Sequence, residues 1–552
     1  MSATPFYITT AIPYPNALPH IGTAYEMIGT DAIARFYRLA GYDVFFLTGT
    51  DEHSQNVEKA AREKGVDPAV FVDEIVPQFE TAWRSLGASY DDFIRTTAER
   101  HKRTVRAFAQ RCYDAGDIYK GTYEGYYCGS CEAFYDEADL VPTDGESRAS
   151  QRSAASQSSL GCPTHRRPVE YLKEDNYFFA LSKYGDRLKA HIEAHPEFIV
   201  PDVRRNEVLG LIEQGLRDFS ISRVAKKWGI PLPFDPSQVI YVWFDALINY
   251  LSGLALDDHD GAAFDPASAR FAKYWPADVH VIGKDISRFH CLYWPAMLMS
   301  AGLKVPRQVS IHGWVNAVTL DENGAPRKWK MSKSVLAERP DLAPLIDPIV
   351  AAQRHGADAL RYFLLREVAW DRDGNYSLEK FDERYNADLA NDLGNLLNRV
   401  VSMIGKYCGG VVPKPAGDEG PDAALKALAE QTVGKVWSLV QASALSQALV
   451  ELWALVQRGN QYVEETAPFR LRKDPAKAGR LGTVLYNLAE TLRIVGLLVT
   501  PFMPTIGPKI WQQLGLGPAH AAARLDDVRH FGGLQPGTRV EQPVPLFPKE
   551  DV

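Results

Sequence analysis

Cysteine is scarce in this chain, six residues among 552, and three of them fall in one local pattern. That is not the framework of a disulfide-stapled secreted protein. Uninterrupted apolar runs of membrane-spanning length are missing, and the opening MSATPFYITT lacks a basic stretch followed by an apolar one. These absences predict a cytoplasmic protein. A strong excess of one charge is also lacking. The net charge of −8 names no partner, and an acidic total still allows a local basic face to meet phosphates. Basic clusters occur at 100–106 (RHKRTVR) and 326–333 (PRKWKMSK), although a charge cluster is more often a solvated face.

What is present is organisation. A chain this long predicts two to four domains. The run FYITT (6–10) is β-branched and aromatic, 22–40 has helical apolar spacing, and DVFFLTGTDEH (43–53) is a buried-strand run ending in polar residues. Strand-like runs return as VIYVWFD (239–245), VHVIGKD (279–285) and QVSIHGW (308–314), again closing on polar or glycine residues. In an α/β doubly wound parallel sheet, that carboxyl edge is where ligands bind. Between the two groups lies an interruption, 118–235, holding the cysteine cluster and a Ser-rich stretch, 142–159, predicted to be a mobile loop. Beyond about residue 381 the pattern is helical. Leu445, Leu449, Leu452, Trp453 and Val456 form one face, and Val484, Leu485, Leu488, Leu492 and Val495 another, so an all-α bundle is expected to close the chain.

Three constellations carry chemistry. In YPNALPHIGTAYE (14–26) a strand turns into a helix, whose first N–H groups can face an anion. His20 would donate to a phosphate oxygen and Gly22 would admit the ligand close to the backbone, but HIG alone is weak and His20 could simply cap the helix. The second is KMSKS (330–334), on a stretch flanked by Gly and Pro, which suits a mobile clamp on a triphosphate. The third is CGSC with CPTH. Cys128, Cys131, Cys162 and His165 have the donor types and spacing of tetrahedral zinc, and a redox CxxC pair is the competing reading. Four protein ligands would make the ion structural. Cys112, Cys291 and Cys408 are read as buried thiols.

HIG and KMSKS on this strand order resemble the class I aminoacyl-tRNA synthetases, and the methionyl family above all. Segments along essentially the whole chain carry the likeness, among them FFLTGTDEHSQ, YVWFDALINY, VIGKDISRFH, DALRYFLLRE and ADLANDLGNLLNR. The resemblance implies a split Rossmann-like catalytic domain (1–117 and 236–329), a zinc-bearing connective insertion (118–235), a linker with the KMSKS loop (330–380) and a helical anticodon-binding domain (381–552). It implies ATP with Mg²⁺, L-methionine and tRNA(Met) as substrates. Catalytic roles fall on His20, Thr23, Lys330 and Lys333. ATP would also meet Gly22, Glu26, Gly283, Asp285, His312, Gly313, Trp314 and Met331. Asp51 would hold the substrate ammonium, and Ile12, Tyr14, Arg223, Trp243, Ala246, Leu247, Tyr250, Ile286 and His290 would surround the methionine. Asn391, Asn395, Arg399 and Phe469 would read the anticodon. The end of the chain soon after LFPK suggests a monomer.

Two positions depart from the family pattern. Thr23 stands where the common form has a second histidine, and is expected to offer its hydroxyl to a phosphate without a charge. Phe469 stands where tryptophan usually stacks on an anticodon base, so stacking should weaken rather than vanish. Two other readings remain: an adenylate-forming paralogue that hands the adenylate to something other than tRNA, and a non-catalytic tRNA-binding or assembly protein.

Overall fold

Strand β1 (Pro5–Thr9) is apolar on both faces, with Tyr7 and Ile8 fully buried. Such a strand must be covered on both sides, the condition of a central parallel strand. This computed structural model describes residues 3–548, apart from 130–132, 136, 144–159, 164–165, 225–227, 256–265, 322, 330, 332–334, 336–338, 518–519 and 521. In it β1 runs parallel to β2 (Asp43–Thr50), from Pro5↔Asp43 to Thr9↔Leu47. Its other edge meets Val279–Gly283 through Ile8↔Val279 and Thr9↔His280. Among the described residues one sheet has six strands, in the order β3 (Asp92–Arg95), β2, β1, Val279–Gly283, Val309–His312, Ile199–Val200, all parallel. The early strands lie on one side of β1 and the later ones on the other. The winding therefore reverses at β1, and a crevice opens over its carboxyl end.

Helix α1 (Ile21–Leu39) follows β1 and packs its buried side, including Ala24, Ile28 and Phe36, into the core. The interruption opens with strand β4 (Ile118–Cys128), antiparallel to Glu170–Phe179 from Ile118↔Phe179 to Tyr127↔Glu170. The chain then returns briefly to the central sheet, because Ile199–Val200 is its edge strand. Two residues carry too little pattern to be seen in sequence. The predicted strand 239–245 is strand only at its start, Gln238–Ile240, and becomes the helix Val242–Leu247. A fully buried apolar run does not tell helix from strand by periodicity, and here Val242, Phe244, Asp245, Ala246 and Leu247 are all buried.

The C-terminal region is helical, with Asn395–Tyr407, Asp422–Gln441, Leu445–Thr466, Ala478–Val499 and Ile506–Gln513 packed together. The segment Pro475–Val499 is long and apolar enough to cross a membrane by length and composition. Its apolar window is wholly buried inside the protein, as befits the central helix of a bundle.

One buried ion pair joins these parts. Arg361 lies on the helix Ala357–Glu367 and is fully buried. It donates to Asp31 Oδ2 of α1 at 2.6 Å, to the Leu86 carbonyl at 3.2 Å, and to the carbonyls of Pro501 and Phe502 at 3.0 and 2.8 Å. Burial alone would raise the Asp31 carboxyl, but Arg361, Arg35 and Ser89 hold it below its ordinary value. Breaking such a pair from one side leaves an uncompensated buried charge. Arg361→Met is expected to cost roughly 3–5 kcal/mol, read from the urea unfolding midpoint. A loss below about 1 kcal/mol would show that the pair is not a structural tie.

Candidate active site

The turn before α1 is built as a reciprocal cap. His20 Nδ1 accepts from the Thr23 N–H at 3.3 Å, the His20 N–H donates to Thr23 Oγ1 at 3.0 Å, and the Thr23 hydroxyl donates to the His20 carbonyl at 2.8 Å. Thr23 therefore closes the cap from both sides, and its hydroxyl proton points at the backbone rather than at a phosphate. Burial lowers the His20 pKa, which the nearby Asp285 charge only partly offsets. A neutral ring whose Nδ1 accepts must carry its proton on Nε2, so Nε2 is left as an outward donor. Gly22 lies against this ring, since a Cβ there would sit 3.0 Å from His20 Cε1. The same Cβ would be 3.9 Å from Met331 Sδ, which places part of the KMSKS stretch over the HIG turn. Lys330 and Lys333 lie outside the described residues.

Glu26 ties three elements together beneath that turn. Its Oε1 accepts from the Ala11 N–H after β1 at 2.9 Å, and its Oε2 pairs with His312 Nε2 at 2.9 Å. His312 Nδ1 donates to the Gly313 carbonyl at 2.8 Å. Burial would lower the His312 pKa, but the Glu26 hydrogen bond and charge outweigh it and the net shift is upward. The expected nucleotide-facing residue Glu26 thus spends both oxygens inside the protein. Gly283 brings the backbone against Asp285, whose Oδ1 would be 2.8 Å from an added Cβ and accepts from Trp314 Nε1 at 3.3 Å. Gly313 leaves room for the backbone of Arg372 and Asp373.

The aromatic pocket lies on the other side of β1. Tyr250 and His290 share a hydrogen bond of 2.7 Å, while His290 Nδ1 meets the Ile286 carbonyl at 3.1 Å. A carbonyl only accepts, so Nδ1 holds the proton and the Tyr250 hydroxyl donates to Nε2. Burial pushes the His290 pKa to about 4, keeping the ring neutral. Trp243 stacks on Phe289 with centroids 3.9 Å apart, and Tyr14 stands 6.2 Å from Trp243. Ile12 and Ile286 pack against the core cluster containing Leu247 and Tyr250, and Ala246 is buried on the helix Val242–Leu247. Asp51, at the end of β2, is buried and its N–H donates to the Pro13 carbonyl at 3.0 Å. Arg223 is held by Ser220 Oγ at 2.9 Å and the Ser222 carbonyl at 2.6 Å, with its guanidinium 4.5 Å from the Tyr241 ring and 5.4 Å from the Tyr127 ring.

The partners Phe289, Tyr127 and Tyr241 went unread in sequence, as did a polar network behind Asp51. Asp245 accepts from His53 Nδ1 and His101 Nε2, each at 2.7 Å, while Glu52 is fully buried and bonded to Arg95 Nε at 2.8 Å. A run of polar residues ending a buried strand, TGTDEH, was the available signal.

Cys128 and Cys162 are fully buried and share one small cluster with Val169. Two thiols, one at the end of Ile118–Cys128 and one just beyond the strand Leu160–Gly161, in one buried place fit a common ion; Cys131 and His165 lie outside the described residues. Cys112 and Cys291 are buried, and burial pushes the Cys112 thiol up to about 12; Cys408 is only half-buried. Asn391 and Asn395 are exposed, and Arg399 pairs with Glu464 at 2.6 Å. Phe469, five residues beyond Glu464, is 42% exposed.

The family described as tRNA synthetases class I (M) matches residues 6–401, and the anticodon binding domain of methionyl tRNA ligase matches 412–551. The chain belongs to the class I tRNA synthetases. Within that class it is a member of the methionine–tRNA ligase family. The ligase of Caldanaerobacter subterraneus subsp. tengcongensis is 47% identical over 99% of this chain and 79% of its own length. That of Thermotoga maritima is 43% identical over 99% and 80%. The solved Mycobacterium tuberculosis methionyl-tRNA synthetase in complex with methionyl-adenylate is 42% identical, with a TM-score of 0.86 over 99% of this chain and 100% of that one. Its apo form has a TM-score of 0.82 at 39% identity, over 100% and 99%.

The His53–Asp245–His101 network has a pH signature. Burial would raise the Asp245 carboxyl, but the two imidazoles hold it at about 2, below its ordinary 3.8. The folded pKa is depressed, so the stabilisation is complete above the unfolded value and is lost as pH falls through about 2. Asp245→Asn should therefore lower the melting temperature at neutral pH, by an amount equivalent to roughly 2 kcal/mol. The gap to the unmodified protein should close as pH falls below about 4, and a gap that stays constant would rule out an ionised Asp245 as its source.

Proposed function

We propose that this protein activates L-methionine with ATP to methionyl-adenylate and pyrophosphate, then transfers the methionyl group to the 3′-terminal ribose hydroxyl of tRNA(Met) for translation initiation and elongation. The observation that carries this reading is Met331 lying over Gly22 at the point where the sheet reverses. In the first step the methionine carboxylate attacks the α-phosphate. His20 donates from Nε2 to a phosphate oxygen, Gly22 lets the triphosphate approach the helix start, and Lys330 and Lys333 clamp the departing pyrophosphate. Thr23 acts through His20, by fixing the cap. Glu26 and His312 hold the rim on which Gly283, Asp285, Gly313 and Trp314 meet the nucleotide. Asp51 receives the substrate ammonium and Arg223 its neighbouring side of the site. The thioether lies among Ile12, Tyr14, Trp243, Ala246, Leu247, Tyr250, Ile286 and His290, a pocket that is apolar apart from the Tyr250–His290 pair. Mg²⁺ enters with ATP and neutralises phosphate charge.

A structural zinc ion on Cys128, Cys131, Cys162 and His165 would hold the connective insertion. Asn391, Asn395, Arg399 and Phe469 form the proposed anticodon face, and the protein is placed in the cytoplasm as a monomer.

Charging of tRNA with labelled methionine tests the whole reading. Methionine-specific, ATP-dependent charging is expected, whereas pyrophosphate exchange without charging would point to an adenylate-forming paralogue. Lys333→Ala should slow methionine-dependent pyrophosphate exchange by an amount equivalent to about 3 kcal/mol, and an unchanged rate would remove its role. Metal analysis should find about one zinc per chain, lost in Cys162→Ala. Full zinc retention in that variant would exclude the proposed ligand set.

A further inference from the structure

The two faces of β1 meet different halves of the proposed site. Phe6 and Ile8 lie in the core that includes α1, whereas Tyr7 lies with Tyr250 and Trp294 in the other core. Strand alternation puts Thr9 on the Tyr7 side. From that face the Tyr7 hydroxyl donates to the Tyr250 carbonyl at 2.8 Å. Thr9 pairs in register with His280 of the neighbouring strand, and its hydroxyl meets His280 Nδ1 at 2.8 Å. The imidazole of His280 then stacks on Tyr250, with ring centroids 4.0 Å apart and planes 29° from parallel. Tyr250 is thus held by its backbone through Tyr7, by its ring face through His280, and by its hydroxyl through His290 at 2.7 Å. His290 belongs to the proposed methionine pocket; His280 stands behind it with no exposed surface.

Stacking alone does not call for an imidazole, since phenylalanine would supply a ring without burying polar atoms. Burial keeps His280 far below its ordinary pKa, so the ring is neutral, with one donor and one acceptor nitrogen. Trp294 Nε1 can only donate, and it gives its proton to Nε2 at 3.3 Å. Nδ1 therefore carries the ring proton and donates to Thr9. One nitrogen is spent on β1 and the other on the helix Trp294–Ser300. A ring bonded at both nitrogens cannot turn in its place without breaking both bonds. Fully satisfied buried polar groups of this kind fix one arrangement where apolar packing would allow several. The plane offered to Tyr250 is therefore set, and with it the direction in which the phenol reaches His290. Burial pushes the Tyr250 phenol up, so it keeps the proton it donates there.

We propose that His280 is a positioning residue for methionine recognition: bonded to Thr9 and Trp294, it fixes the plane of Tyr250 and so the place of the Tyr250 hydroxyl in the side-chain pocket, which sets the preference for a thioether over an alkyl chain of equal length. This rests on the methionine reading above.

His280→Phe keeps a ring against Tyr250 and removes both hydrogen bonds. In methionine-dependent pyrophosphate exchange its KM for methionine should rise roughly tenfold, while kcat and the KM for ATP stay within about twofold. Norleucine, in which a methylene replaces the sulfur, should lose less, so the preference for methionine should fall roughly fivefold. Calorimetric titration with methionine alone should show the same weakening without turnover. In a Tyr250→Phe background, which has no hydroxyl to place, adding His280→Phe should cost less than about twofold more. An unchanged KM for methionine in His280→Phe, equal losses for methionine and norleucine, or the full loss repeated in the Tyr250→Phe background would each overturn the assignment. Should His280→Phe fail to fold, Thr9→Val decides: it is close to isosteric on a strand, removes only the Nδ1 partner, and should raise the KM for methionine roughly threefold, an unchanged value counting against the role. An unmodified protein that exchanges no pyrophosphate with methionine would remove the methionine reading itself, whereas exchange that survives while these shifts are missing removes only the role of His280.

Discussion

A single guanidinium at the junction of the catalytic sheet, the linker and the helical bundle sets how the parts of this molecule stand to one another. Arg361 has no exposed surface, and it satisfies its donors on α1, on the Leu86 carbonyl and on two bundle carbonyls at once. A buried pair is not an efficient source of stability, since replacing both of its members by hydrophobic packing of equal volume does as well. What it supplies is geometry, because its planar donors accept only one arrangement of the surrounding acceptors. Its anion, Asp31, lies on α1, the helix whose first turn is the proposed nucleotide turn. The same helix is pressed onto Trp370 at Gly29, where any side chain would collide with the indole, and grips His312 through Glu26. α1 is thus fixed along its length by a salt bridge, a glycine contact and a carboxylate–imidazole pair.

That rigidity explains the protonation pattern around the crevice. Burial keeps His20, His280 and His290 below their ordinary pKa, so each is a neutral ring with one donor and one acceptor nitrogen fixed by its neighbours. His280 shows the principle: Trp294 Nε1 donates to its Nε2 at 3.3 Å, which leaves Nδ1 to donate to Thr9 Oγ1 at 2.8 Å. His312 is the opposite case, raised by Glu26 despite burial. Neutral imidazoles can give directional hydrogen bonds to a substrate without attracting anions at random. In the proposed mechanism the positive charge comes from the KMSKS lysines instead.

The parts of the fold visible in sequence were those whose pattern is local. β1, α1, β2 and the later strands at 279 and 309 each declare themselves within about ten residues, and so do the HIG turn and the C-terminal helical faces. Tertiary partners decide what was missed. His53 and His101 stand 192 and 144 residues from Asp245 in sequence, so no window could have joined them. The segment 239–245 reads as strand because all of it except Trp243 is buried, which erases the period. Thr23 looked like a weakened histidine because the motif was read for charge; its hydrogen bonds show a helix cap. The stripe Asn391, Asn395, Arg399 was spaced for an α-helix, yet Tyr385–Gly394 is wound as a π-helix and only the residues from Asn395 are α-helical.

The far end of the bundle carries a strain that core packing does not explain. Ala467 has φ 41° and ψ 61°, a left-handed conformation that costs an alanine about 1–2 kcal/mol. It terminates the helix Leu445–Thr466 and starts the short helix Pro468–Leu471, where Pro468 loses no useful N–H. The reversal buries Pro468 and leaves Phe469 exposed, the reverse of what the hydrophobic effect favours for a phenyl ring. Among the described residues Arg399 pairs with Glu464, an exposed carboxylate that a stronger anion or a base edge can displace at little cost. In the proposed function, an aromatic face held in water and an exchangeable guanidinium would serve unstacked bases. On the proposed anticodon reading, the strain at Ala467 is retained for the orientation of Phe469.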